Sequence, residues 1–229
     1  MKIQALFISD VHLGTKGSNA DKVLEILKQY QPEYLFLVGD IIDGWLFTKY
    51  KKFSYEHTRV IRRLLKLSKN KEIIWISGNH DEFVRKYTPL ELGNIKVVDE
   101  YIENGIWFCH GDKYDGIVKM HWLGMLGSVG YDLAIVIDRA LKKMGRTTSL
   151  SKYLKDNVKA AISFMVDFEN EMVRQAKKRD CHTVICGHIH NPDDKIIDGV
   201  RYMNTGDWIE NCSYITLGKF MNLKLWKKK

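Results

Sequence analysis

The chain has few elements that break or staple a fold. Only 3 of its 229 residues are proline, and no Pro-rich or Gly/Ser-rich tract divides them, so a structureless linker is not expected. No internal period recurs, which excludes a solenoid or a propeller. The four cysteines, Cys109, Cys181, Cys186 and Cys212, lack the paired spacing of a zinc or redox motif and read as reduced thiols in apolar positions. No uninterrupted apolar run approaches the roughly 18–20 residues that span a bilayer. The short apolar run after Met1 ends in Asp10 rather than at a small-residue cleavage site, so it reads as a first strand and the expected location is the cytoplasm. A hydrophobic content of 45% is ordinary for a folded domain, so disorder is not the expectation.

Negative charge is also scarce. Lys and Arg number 36 against 28 Asp and Glu, a net charge of +8, so the surface favours anionic or phosphate-rich partners. Nucleic acid, anionic lipid and nucleotide all satisfy that condition. The chain lacks the interleaved aromatic and basic residues of a single-strand-binding groove, and no stable nucleic-acid partner is expected.

Strand and helix signals alternate through the first third. Residues 3–9 form a short apolar run, residues 21–30 carry Val23, Leu24, Leu27 and Tyr30 at helical spacing, and Gln31-Pro32 ends that helix. Residues 34–38 read as a second buried strand, 57–67 as a helix with a basic outer face, and 73–76 as a third strand. This alternation predicts an α/β layered sheet. Further strands are expected at 105–109 and 183–186, and short antiparallel strands from 195 to 226 with turns at Asp198-Gly199 and Gly218. The middle of the chain is helical in pattern instead. Residues 131–144 are strongly apolar, and Leu150, Leu154, Val158, Ala161, Met165, Phe168 and Met172 recur at helical spacing. The expected organisation is one domain from residues 1–118 and 179–229, with 119–178 inserted as a helical lid.

Five strand ends carry residues able to bind metal: Asp10 and His12, Asp40, Asn79, His110, and His188 with His190. In layered α/β folds, ligands gather beyond the carboxyl ends of strands, so these positions can converge on one volume. In an extended segment, residues two apart share a side, which would aim Asp10 with His12, and His188 with His190, in one direction. Carboxylate, imidazole and amide oxygen are the donor mixture for a divalent first-row metal. Gly39, Gly78, Gly111 and Gly187 lie beside these residues, where the chain must turn sharply. Any one of the histidines alone would read as a surface or core residue; their recurrence at strand ends is the signal.

The ordered series Asp10-x-His12, Gly39-Asp40, Gly78-Asn79-His80-Asp81, His110-Gly111-Asp112 and Gly187-His188-x-His190 resembles that of the calcineurin-like metallophosphoesterases. The resemblance implies a four-layer αββα sandwich and two divalent metal ions, manganese foremost, with iron or zinc compatible with the same donors. Asp10, His12, Asp40 and His190 would hold one ion, and Asp40, Asn79, His110 and His188 the other, with Asp40 bridging. Such a pair generates a nucleophile from water and clamps the phosphoryl oxygens, so no protein nucleophile is needed. The family places His80 to stabilise the transition state or protonate the leaving group, with Asn79 and His80 also touching substrate. Asp81 would orient His80, or Asp81 and Asp112 would instead serve as helix N-cap or turn residues.

Within that superfamily, Asp10-Val11-His12-Leu13-Gly14, the run from Val38 to Trp45, and Asn204-Thr205-Gly206-Asp207-Trp208 are similar to the UDP-2,3-diacylglucosamine pyrophosphatase family of lipid A biosynthesis or a close paralogue. The best-known branch carries arginine where this chain has His80. An amphiphilic nucleotide-sugar lipid is the implied substrate, which water would split into UMP and 2,3-diacylglucosamine 1-phosphate. The insertion suits such a ligand. Arg139, Lys142, Lys143, Arg146, Lys152, Lys155 and Lys159 face only Asp156 between residues 139 and 159, beside an apolar stripe. That face would also suit an anionic membrane surface, as a peripheral protein at the inner face of the inner membrane, or it would simply pack on the core with its lysines solvated. Two alternatives stand beside the pyrophosphatase: a broader phosphodiesterase or nuclease, and a non-enzymatic interaction protein on the same scaffold. The last is disfavoured because every ligand position is filled.

Overall fold

The computed structural model describes residues 1–45, 53–114 and 150–227, with 150–162 described by their backbone alone. In its first third, β1 (Lys2–Ile8), α1 (Ala20–Gln29), β2 (Gln31–Val38), α2 (Tyr55–Leu67) and β3 (Glu72–Ile76) follow one another as the apolar runs predict. The last four residues of β1 and of β2 are all buried, so these strands read as continuous apolar runs rather than as alternation. Ser54 caps α2 by accepting the His57 N–H at 3.3 Å.

β2 begins three residues before the expected Tyr34. Gln31 pairs with Lys2 and Pro32 with Ile3, whereas β3 joins β2 only from Tyr34 onward. The missing N–H of Pro32 therefore falls where one side of the strand is unpaired, the place a strand tolerates proline. Between Asp81 and Gly105, where no element is expected, the chain forms α3 (Glu82–Arg85), β4 (Leu90–Leu92), β5 (Ile95–Val98) and β6 (Glu100–Glu103), followed by β7 (Ile106–Cys109). Asn104 and Gly105, at φ 50° and 70°, make the two-residue turn that pairs β6 with β7.

The remaining elements are α4 (Leu150–Lys178), β8 (Thr183–Cys186), β9 (Asp193–Ile197), β10 (Val200–Asn204), β11 (Ser213–Leu217) and β12 (Met221–Leu225). The turn at Asp198-Gly199 joins β9 to β10 as expected. The apolar helix expected at residues 131–144 lies outside the described residues. The chain forms two compact units, one from Met1–Asp112 with Met172–Lys229 and the other from Lys113–Glu171. The last two turns of α4 thus belong to the first unit, where Met172, Val173 and Ala176 are buried. No helix among the described residues is long and apolar enough to cross a membrane.

One sheet has the order β12-β11-β1-β2-β3-β5-β4, the other β6-β7-β8-β10-β9. Strands β1, β2, β3 and β5 are parallel, as are β7, β8 and β10. Alternation along each strand sorts the core into layers. Ala5, Phe7, Phe36, Val38, Ile74 and Ile76 join Phe108, Ile185 and Met203 between the sheets. Leu6, Ile8, Leu35, Leu37 and Ile73 face the other way and pack with Val23, Leu27, Val60 and Leu64 of α1 and α2. On the far face of the second sheet, Arg179 lies 4.3 Å above the Trp107 ring. The result is the expected αββα sandwich. All four cysteines are free and buried.

Phe36 sits at the centre of the inter-sheet core, stacked on Phe7 at 4.8 Å and on Phe108 at 4.6 Å. Phe36→Ala is expected to cost about 3–5 kcal/mol of unfolding free energy in a denaturant titration, the range for losing a buried aromatic side chain. Ile196, on the exposed face of an edge strand, is the control, and its alanine variant should stay within about 0.5 kcal/mol.

Candidate metal centre

The loops after β1 and β2 are stitched together by backbone bonds. Asp10 N–H donates to Gly39 C=O at 3.0 Å, His12 to Asp40 at 2.9 Å and Leu13 to Ile41 at 2.9 Å. This ladder brings Asp10, His12 and Asp40 to one place. All three are buried, as are His110 and His188.

The geometry corrects one expectation. Asp10, His12, Asp40, His188 and His190 all have φ between 49° and 72°, so they lie in the left-handed region and not in an extended strand. Asp10 and His12 still converge, but through left-handed turns rather than an extended segment. Non-glycine residues occupy that region at a cost and persist there only when the surroundings enforce it.

Asp40 stands in the middle. Its Oδ2 is 3.2 Å from His110 Nε2 and 3.9 Å from His12 Nε2, and its Oδ1 accepts the His80 N–H at 2.8 Å. Asp10 Oδ1 is 3.1 Å from His190 Nε2 and 3.9 Å from His12 Nε2, while its Oδ2 accepts the His188 N–H at 3.2 Å. His12 Nε2 and His190 Nε2 face each other at 3.4 Å. The His188 ring meets the His110 ring edge-on at 5.1 Å. Three sets, Asp10/His12/His190, Asp10/Asp40/His110 and His12/Asp40/His80, each offer ligand atoms within 4.8 Å of one another.

Several of these atoms lack a hydrogen bond within the protein. Asp10 Oδ1, Asn79 Oδ1 and His110 Nε2 are buried and unsatisfied. His110 Nδ1 donates to the Val38 carbonyl at 3.0 Å, which fixes the ring and turns Nε2 toward Asp40. Buried polar atoms are rarely left orphaned, and a divalent cation accepts oxygen and imidazole donors together. The residues present fit a metal centre.

The charges show the same frustration. Burial favours neutral His110, but Asp40 and Asp10 drive its pKa up to about 10. For Asp10, burial acts upward and His190 outweighs it, leaving the pKa at about 2. Asp40 is likewise held below the usual carboxylate range, because His110 and His12 outweigh the upward push of burial. His12 goes the other way: burial lowers it to about 4 despite Asp40 and Asp10.

Glycines make room for these groups. A Cβ on Gly78 would run into the Asp40 carboxylate, and one on Gly187 into that of Asp10. At Gly39, with φ 84°, the obstacle is the His110 ring. Their role is close approach as much as turning.

Asp81 does not orient His80. Its buried carboxylate accepts from the N–H groups of Ile42 (2.9 Å), Ile41 (3.2 Å) and Gly78 (3.3 Å) and from the Trp75 indole (3.3 Å), so it clamps the β2 loop to the β3 loop. The group facing His80 Nδ1 is Asp43, at 3.4 Å, whose carboxylate also accepts from Thr15 Oγ1 at 2.9 Å. Trp45 packs against the same ring at a tilt of 35°, with centroids 4.2 Å apart. Burial pulls the His80 pKa down, but the bond to Asp43 and the charges of Asp40 and Asp43 prevail and raise it. Asp43 and Trp45 stand three and five residues after Asp40, in a run valued for resemblance only. Asp207 was also missed as a site residue. It lies 4.0 Å from His190 Nδ1 and caps the N–H groups of Ile209 and Glu210, and Asn211 holds the His190 carbonyl at 2.8 Å.

Two facing sheets with carboxylates, imidazoles and an amide gathered at strand ends are the framework of a metal-dependent hydrolase. The chain belongs to the calcineurin-like phosphoesterase family, whose model matches residues 3–192. It is 27% identical to a UDP-2,3-diacylglucosamine hydrolase of Porphyromonas gingivalis, over 93% of this chain and 94% of that one. It is also similar to the crystal structure of a dimetal phosphatase from Danio rerio, with a TM-score of 0.51 and 13% identity over 96% of this chain and 95% of that one, a likeness of fold alone.

Asp81→Ala would strand three N–H groups, two of them buried and each of those worth roughly 1–3 kcal/mol. It should therefore lower unfolding free energy by about 2–5 kcal/mol. Asp43→Ala should instead keep most of the stability and slow hydrolysis of a chromogenic phosphodiester by about 10–100-fold through a misplaced His80. The opposite pattern, seen by denaturation and steady-state kinetics, would return the orienting role to Asp81.

Proposed function

We propose that the protein hydrolyses the pyrophosphate of an acylated nucleotide sugar, UDP-2,3-diacylglucosamine, to UMP and 2,3-diacylglucosamine 1-phosphate. Asp10, His12, Asp40 and His190 would hold one divalent ion, and Asp40, Asn79, His110 and His188 a second, with manganese the expected metal. The observation that carries the metal assignment is the gathering of Asp10, Asp40 and His110 ligand atoms within 4.8 Å of one another, where Asp10 Oδ1 and His110 Nε2 are buried without a hydrogen bond. When bound, such ions polarise phosphoryl oxygens and generate a nucleophile from water.

The chain's own residues supply the rest. His80, anchored by its backbone to Asp40 and with Nδ1 facing the Asp43 carboxylate at 3.4 Å, would use Nε2 to protonate the leaving oxygen, and its raised pKa suits an acid. Trp45 limits rotation of that ring. Asn79 offers an amide that would serve ion and substrate alike.

Two features support the substrate: the similarity to a relative named for it along nearly the whole chain, and the basic, apolar composition of residues 139–159. Acyl burial contributes on the order of 0.8 kcal/mol per methylene, so an insertion contacting several methylenes would dominate affinity for a lipid and add nothing for a small soluble diester. The insertion is thereby proposed as the part that selects substrate, with an anionic membrane surface as its other partner.

Asp40→Ala is expected to lose both ions and reduce turnover further than removal of any other single ligand, as measured by elemental analysis and kinetics. Two ions per chain with near-normal turnover would refute the assignment. His80→Ala should keep its metal and slow turnover by roughly 10²–10⁴-fold.

Because Met172, Val173 and Ala176 are buried in the first unit, a replacement of the insertion by a short linker should begin at 119 and end short of Met172. Such a protein, folded and metal-loaded, should hydrolyse a chromogenic diester and lose the acylated UDP-sugar. Unchanged relative efficiency on the two would make the insertion structural. Preference of the intact protein for cyclic nucleotides or nucleic acid would favour the broader phosphodiesterase.

A further inference from the structure

Arg85 lies outside the ligand series, on the single-turn helix α3, yet its guanidinium joins two loops that carry ligands. Nη1 donates to Asp112 Oδ2 at 2.6 Å and Nη2 to Asp112 Oδ1 at 3.0 Å, a forked ion pair. Nη2 also donates to the Ser77 carbonyl at 2.8 Å, and Nε to the Ser77 hydroxyl at 3.1 Å. Ser77 in turn donates its hydroxyl to Asp99 Oδ1 at 2.7 Å and its N–H to the Val98 carbonyl at 2.9 Å.

The positions of these partners give the contacts a purpose. Ser77 stands two residues before Asn79, at the end of β3 in the first sheet. Asp112 stands two residues after His110, at the end of β7 in the second sheet. Asn79 and His110 thus reach the metal centre from different sheets, and Arg85 spans the seam between their loops. His190 has ties of its own, to Asp207 and Asn211, that do not involve Arg85. The Asp10 and His12 loop is held by the backbone ladder to residues 39–41.

We propose that Arg85 is a positioning residue for one ion of the pair. By bracing Ser77 against Asp112 it sets the separation of Asn79 and His110, and with it the affinity of the ion they hold together with Asp40 and His188. The inference rests on the metal assignment above. Arg85 touches neither ion nor substrate in this role. A lysine is a poor replacement, since one ammonium cannot span both Asp112 oxygens and the Ser77 carbonyl in a plane.

The test uses full-length wild type, Arg85→Ala, Arg85→Lys and Asp112→Asn, each equilibrated with graded Mn²⁺. Bound metal is counted by elemental analysis, and the exchange-coupled pair is followed by electron paramagnetic resonance. Wild type should bind two ions. Arg85→Ala should keep one at wild-type affinity and bind the second about 10–100-fold more weakly, the usual effect of losing a partner that orients a ligand. Its coupled signal should give way to that of an isolated ion and return at high Mn²⁺, with kcat recovering in step. Arg85→Lys and Asp112→Asn should fall between the two and serve as the deciding variants where Arg85→Ala fails to fold.

Equal weakening of both ions, or of neither, in the folded variants would overturn the inference. Failure of the wild type to bind two ions would overturn the metal assignment instead.

Discussion

A carboxylate cannot be taken out of water and keep its charge unless something nearby answers it. Asp40, 2% exposed, meets that condition through His110, His12 and the His80 N–H, all directed at its two oxygens. The rest of the site is arranged around this requirement. Gly78 is bare so that the carboxylate fits against the β3 loop, and Gly39 is bare so that the His110 ring fits against the β2 loop. The Val38 carbonyl holds His110 by its other nitrogen, leaving the nitrogen nearest Asp40 without a partner of its own. Hydrogen bonds within the protein satisfy only part of this cluster, and the atoms left over have the chemistry of a cation site.

The backbone bears a cost for that convergence. Five residues of the ligand series adopt the left-handed region, three of them with imidazole side chains. Surrounding bonds hold the strain in place: the ladder between the first two loops, the Asp81 carboxylate across Ile41, Ile42 and Gly78, and Asp207 capping the turn beyond Trp208. Asp81 and Asp207 are themselves buried acids, so the centre is built from charges that support other charges. Burial and the proximity of Asp40 push the Asp81 pKa up to about 6, and its backbone donors pull the other way. A carboxylate set among N–H groups in this way contributes order rather than chemistry.

Much of this framework was legible in the sequence because its signals are local. Buried parallel strands must be apolar throughout, which marked β1, β2, β3 and β8, and helices that cover a sheet must be amphipathic, which marked α1 and α2. The candidate ligand positions were legible because each set follows an apolar strand, β7 before His110 included. The stretch from 82 to 104 was not, since β4, β5 and β6 are short, half-exposed and defined by pairing partners; even so, Asn104-Gly105 was an available hairpin signal. The resemblance assigned Asp81 to His80, whereas the fold turns Asp81 inward and brings Asp43 across from the neighbouring loop. The i, i+2 argument brought Asp10 and His12 together by the wrong conformation, because Asp and His favour left-handed backbone too weakly for the sequence to announce it.

The division of labour follows from where the groups originate. Ligands drawn from strand ends of two sheets are fixed by the sandwich itself, so a chain that folds this way presents much the same metal chemistry to any phosphoester that reaches it. Discrimination among phosphoesters must then come from groups that hold no metal. Within the first unit these are His80 with its Asp43 support and the half-exposed Trp45 beside it. An aromatic face against the proposed acid would shape the space a leaving group enters, so a change there should alter selectivity while the cluster beneath stays intact. The residues expected to be most informative about the substrate are therefore the ones proposed to hold no metal.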